Sequence, residues 1–189
     1  MDPSNLLKSI IPPMTREFRE QFSNHAFIDG LTREQRRQVE LELIPLLEIS
    51  PIDPLVVDTL IYLKSEESIP ILYRLLDKLP EPYQKLHVAQ RLHQMTGDPG
   101  LFRVATDALH QIGQETGPYR QYGLSSALHI ISLFGLPECA IVIQQYLADP
   151  EKLVALKARS LVYGDDSIRP EKKRSSLFRD VFRYVFRIH

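Results

Sequence analysis

Arg91-Leu-His-Gln-Met-Thr-Gly-Asp-Pro-Gly-Leu-Phe-Arg-Val-Ala-Thr-Asp-Ala-Leu-His-Gln-Ile112 contains Leu-His-Gln twice, at Leu92-His93-Gln94 and Leu109-His110-Gln111, and a third Leu-His follows at Leu128-His129. Between the first two copies stand Gly97 and Pro99. Glycine accepts the left-handed conformation that ends a helix. Proline fits the first turn of the next helix, where its missing N–H has no partner to lose. The stretch predicts one helix ending near residue 96, a tight turn, and a second helix opening at 99.

The same punctuation extends along the chain. Pro54, Pro82, Pro118 and Pro150 each follow a turn-forming or acidic residue and open a segment with helical apolar spacing, while Pro70, Pro99 and Pro137 open segments between them. The predicted result alternates outer A helices (54–65, 82–96, 118–134, 150–163) with inner B helices (70–79, 99–113, 137–148). The B helices align: Leu72, Leu75, Leu76 and Leu79 match Leu101, Val104, Ala105 and Ala108, then Cys139, Val142, Ile143 and Tyr146. Each set follows the i, i+3, i+4, i+7 pattern of a single helical face. Gly97, Gly113 and Gly164 stand where helices should stop. Upstream, Thr15 opens a helix containing Phe18 and Phe22. Thr32-Arg-Glu-Gln35 spells a capping box, and Pro45 should end the helix it starts. Strand signals are nearly absent.

The proline punctuation and apolar stripes over residues 51–163 resemble HEAT-like helical repeat proteins, particularly short-repeat bacterial forms. The proline period (28, 36 and 32 residues) is shorter than the ~40–47 of typical HEAT units. The resemblance implies an all-α, right-handed α-α superhelix of stacked hairpins. Residues 1–50 then form a helical N-terminal cap, 51–163 the hairpins, 164–176 a polar linker and 177–189 a basic amphipathic helix. It also implies that the B helices line the concave face. Their polar positions, Tyr73, Arg74, Asp77, Lys78, Arg103, Asp107, Gln144 and Gln145, become the candidate partner-binding residues. Tyr and Arg are frequent anchors in protein recognition.

Charge divides the chain. Its formal net charge is −1, but residues 168–189 carry seven Lys/Arg against two Asp/Glu, leaving residues 1–167 at −6. In the basic segment, Phe178, Phe182 and Phe186 recur every fourth residue beside Arg179, Arg183 and Arg187. Such a helix can cap the last hairpin, lie on an anionic membrane or dock in a partner groove. The single cysteine, Cys139, excludes an intramolecular disulfide and falls on a core stripe, as an inert thiol would. With no secretory pattern at the start and no run of ~18 apolar residues, the expectation is a cytoplasmic protein, held at most peripherally to a membrane.

Catalytic chemistry is not spelled. Successive hairpins separate His93, His110 and His129 by ~8–10 Å each, whereas zinc ligands must converge at ~2 Å. These histidines are therefore expected half-buried beside core leucines. Glu66-Glu67 and Asp165-Asp166 are neighbours in predicted turns and suit helix capping better than acid–base work across a bond. No phosphate loop or nucleophile elbow is present. The reading is a non-enzymatic protein-binding module without a cofactor or evident small-molecule substrate. It fits an inhibitor or immunity-type protein for a basic target, or else a membrane-peripheral adaptor. Some HEAT-like proteins are DNA glycosylases, but an acidic, Trp-free body is the wrong footprint for nucleic acid.

Overall fold

The computed structural model describes residues 7, 9–11, 24–49 and 52–164. The helix expected from Thr15, the Asp165-Asp166 turn, the linker beyond Gly164 and the segment holding Phe178, Arg179, Phe182, Arg183, Phe186 and Arg187 lie outside the described residues.

Among the described residues the chain is all helical. The α-helices are α1 (His25–Asp29), α2 (Arg33–Leu43), α3 (Pro54–Tyr62), α4 (Ile69–Lys78), α5 (Pro82–Thr96), α6 (Gly100–Gln114), α7 (Arg120–Ser132), α8 (Glu138–Gln144) and α9 (Lys152–Tyr163). Short 3-10 helices at Ile44–Glu48 and Glu66–Ser68 precede α3 and α4. The A helices of the sequence reading are α3, α5, α7 and α9, and the B helices are α4, α6 and α8.

Local chemistry accounts for the ends. The Thr32 hydroxyl accepts the Gln35 N–H at 3.2 Å while the Gln35 side chain accepts the Thr32 N–H at 2.9 Å, completing the capping box of α2. Pro45 converts the chain after Leu43 to the tighter 3-10 form. Asp53 accepts the Leu55 N–H at 3.0 Å, and Pro54 takes the first helical position of α3. Gly97 closes α5 at φ 69°, its N–H donating to the His93 carbonyl at 2.8 Å.

Three details depart from the expected punctuation. Gly113 does not stop α6 but lies within it, and Gln114 ends the helix. Helix α8 is shorter than expected because residues 145–147 tighten to i→i−3 bonds, as at Tyr146 N–H to Ile143 O, 3.0 Å. The stop of α3 uses no glycine: Lys64 takes φ 56°, and the Ser65 and Lys64 N–H groups reach back to Leu60 and Ile61.

One apolar cluster runs from Ile10 and Val39 to Val154 and Ala158. Three of the four aligned B-helix positions are treated alike, and at the fourth Leu79 and Ala108 are buried while Tyr146 is half-buried. Leu72, Leu101 and Cys139 are buried, as are Leu76, Ala105 and Ile143 four residues on, while Leu75, Val104 and Val142 are half-buried. Each fully buried leucine is worth ~1.5–3 kcal/mol, so the register carries energy as well as pattern. Consecutive A helices pack directly, α3 on α5, α5 on α7 and α7 on α9. B helices fit against them, α4 on α5, α6 on α5 and α7, and α8 on α7 and α9. Consecutive B helices share no comparable packing with one another.

Candidate partner-binding surface

Between and beside the buried positions of each B-helix stripe, side chains turn outward. Arg74, Asp77 and Lys78 on α4, Arg103 and Asp107 on α6, and Gln144 on α8 with Gln145 just beyond it are all exposed. Among the described residues none of these seven side chains takes part in an ion pair or hydrogen bond. Arg74 and Arg103 occupy equivalent positions, two residues after buried Leu72 and Leu101.

Tyr73, the eighth candidate, points elsewhere. It is half-buried, and its hydroxyl donates to Asp98 Oδ2 at 2.7 Å. Asp98 also accepts the Gly100 N–H at 2.8 Å, and its carbonyl lies 2.9 Å from His93 Nδ1. The Tyr73 bond, followed by the Gly100 N–H, holds the Asp98 carboxyl below its usual pKa. Burial and then the Asp98 bond raise that of Tyr73. Tyr73 therefore ties α4 to the α5–α6 turn.

The sequence reading missed one exposed residue at this register. Ile141 follows Cys139 by two, on the same row as Arg74 and Arg103, and is 62% exposed. The alignment itself was the available signal. An exposed isoleucine thus stands at the register position that Arg74 and Arg103 hold on the preceding B helices.

The A side is organised differently, with ion pairs that join successive helices. Asp58 Oδ1 on α3 accepts Arg91 Nε at 2.6 Å and lies 3.3 Å from His87 Nε2, both on α5. Burial works to raise the Asp58 pKa, but His87 and then Arg91 hold it below the ordinary value. Asp58 and Arg91 line an open cleft of about 340 Å³ with Asn24, His25, Leu55 and Tyr62. His25 and Tyr62 stack there at 3.9 Å, and Tyr62 donates to Asp29 at 2.7 Å. At the other end, Arg120 at the start of α7 reaches Asp149 at 3.1 Å, Glu151 at 2.8 Å and the Gly113 carbonyl at 3.0 Å. This fork joins α7 to the α8–α9 turn.

The residues considered for chemistry are scattered. His93 is half-buried, its ring 4.9 Å from that of Phe134. His110 and His129 are exposed, so the Leu-His phrase does not mark equivalent environments. Partial burial and then Lys157 push the His129 pKa down. Cys139 is buried, and that burial raises its thiol pKa, against nucleophile chemistry. Glu67 pairs with Arg37 of α2 instead of capping, since Ser65 supplies the cap at the Ser68 N–H. Among the described residues no group of three or more His, Cys, Asp or Glu is placed to hold a metal. No described helix is long and apolar enough to cross a membrane. Comparison with protein-family models, curated proteins and solved structures finds no match to this chain.

Proposed function

We propose that this chain is a non-enzymatic, HEAT-like α-solenoid that binds another protein along its B helices. The observation that carries the reading is the row formed by Arg74, Arg103 and Ile141 on α4, α6 and α8. These side chains are exposed and equivalent by register, beside Asp77, Lys78, Asp107, Gln144 and Gln145. Two arginines and an apolar residue in line offer anchors, and the flanking mixed charges offer specificity. The charge of −6 over residues 1–167 would speed long-range encounter with a cationic partner, whose cations would meet Asp77 and Asp107 on this surface, in keeping with an inhibitor-type role toward a basic target. Cys139 supports a non-catalytic reading through its burial, as do His87 and His93 through their structural contacts.

Affinity capture from the native cell, read by mass spectrometry, tests the proposal with a paired variant. Arg74→Glu/Arg103→Glu should lose a specific protein that the wild-type chain retains, while its circular dichroism melt stays the same. Capture of the same proteins by both chains would refute the assigned surface.

A further inference from the structure

Helix α9 presents an outer face that the hairpin packing leaves unexplained. Val154, Ala155 and Ala158 are buried, and Leu161 and Val162 pack against the core. On the opposite side Leu153, Leu156, Ser160 and Tyr163 fall within about 80° of arc at ~100° per residue. Leu153 and Leu156 are half-buried but do not pack against the core cluster, and Tyr163 is 66% exposed. Cations border this stripe on both sides: Lys152 and Arg159, both exposed, on one edge and Lys157 on the other. Arg159 is steadied there by a 3.3 Å bond from Nη2 to the Leu147 carbonyl. Of the acids flanking α9 in sequence, Asp149 and Glu151 are already engaged by Arg120, while Asp165 and Asp166 lie outside the described residues. From Lys152 to His189 the sequence holds ten Lys/Arg against four Asp/Glu, an excess of +6.

We propose that this face of α9 rests on an anionic lipid surface. Leu153, Leu156 and Tyr163 enter the headgroup boundary, and Lys152, Lys157 and Arg159 meet the lipid phosphates. An apolar stripe with a tyrosine, edged by long cationic side chains whose stems follow the apolar surface, suits that interface. The chain's own segment 177–189 is a poorer occupant. It would bring Arg179, Arg183 and Arg187 toward three like charges. Nucleic acid would neutralise the cations but leave the leucine stripe without use. The face lies on the last A helix, apart from the Arg74–Arg103–Ile141 row, so this proposal stands independently of the partner-binding reading.

The full chain contains no tryptophan, so Tyr163→Trp provides a single fluorescent reporter. Phosphatidylserine-containing vesicles should shift its emission to the blue and, with brominated acyl chains, quench it. Pure phosphatidylcholine should do neither, and rising salt should reverse the effect. Lys152→Gln/Lys157→Gln in this background should weaken vesicle partitioning about thirtyfold, from ~1 kcal/mol per surface cation, with an unchanged melt. Flotation of the chain with its native Tyr163 reads the same differences should the reporter variant fold poorly. The proposal is overturned by no association with anionic vesicles or by equal association with neutral ones. It is also overturned if the α9 charge pair has no effect while Arg179→Gln/Arg183→Gln/Arg187→Gln abolishes association, or if duplex DNA binds and lipid does not.

Discussion

Replacing Arg120 by methionine removes the fork that joins α7 to the α8–α9 turn. The guanidinium makes two contacts with Asp149, one with Glu151 and one with the Gly113 carbonyl. The Asp149 side chain is only 6% exposed, so the variant strands a carboxylate with the Glu151 N–H at 2.9 Å as its remaining described partner. Losing one member of a fully buried pair costs ~3–5 kcal/mol. Arg120 and Glu151 are 18% and 30% exposed, so water recovers part of that, and a loss of about 1.5–3 kcal/mol is expected at neutral pH. The pH dependence identifies the cause. Burial works to raise the Asp149 pKa, but Arg120 and the Glu151 N–H overcome it and hold it below the ordinary value. The stability this carboxylate contributes is present above the ordinary carboxylate range and is lost as pH falls through its depressed pKa. Urea denaturation of both proteins across that interval should show the gap narrowing on acidification. Adding Asp149→Asn to the variant should recover part of the loss at neutral pH. A gap that is constant with pH, or below about 0.5 kcal/mol, would refute the assignment of a clamp to Arg120.

Further expectations come from single positions. Lys64→Gly should raise stability by about 0.5–1 kcal/mol, because Lys64 holds a left-handed conformation that glycine adopts without a Cβ penalty. Gly113→Ala should gain a similar ~0.5–1 kcal/mol, since a Cβ there would sit 3.4 Å from the Tyr146 hydroxyl without a clash, whereas Gly113→Leu should destabilise by crowding that ring. Denaturation midpoints check both. Tyr73→Phe should raise the Asp98 pKa toward its ordinary value, observable by carboxyl NMR titration, because the lost hydroxyl is the main cause of its depression. Lys157→Gln should raise the His129 pKa, leaving the depression due to burial, and an imidazole titration reads the change.

What the sequence reveals follows the range of the interaction involved. Pro54 and Pro82 restrict their own φ angles, Gly97 relieves a local one, and Thr32 with Gln35 closes a box within four residues, so these ends were legible. The B-helix stripes were legible because burial repeats with helical periodicity. Contacts between helices were not. Tyr73 meets Asp98 across 25 positions, Arg91 meets Asp58 across 33 and Arg120 meets Asp149 across 29, and nothing in local composition announces such pairs. Gly113 shows the other side of the difficulty: glycine is consistent with a helix stop or with a helix interior, and its neighbours in space decide. Ile141 was within reach, because the register of Leu72, Leu101 and Cys139 assigns it to the arginine row, where an isoleucine is easily mistaken for core.

The most direct test of the partner-binding surface places a photoactivatable cross-linking residue at Arg103 or Ile141, and in a control chain at Tyr83, exposed on α5. Irradiation in the native cell should join one specific protein to the chain from positions 103 and 141 and not from position 83. Adducts from position 83 alone, or from none of the three, would contradict recognition through the B helices.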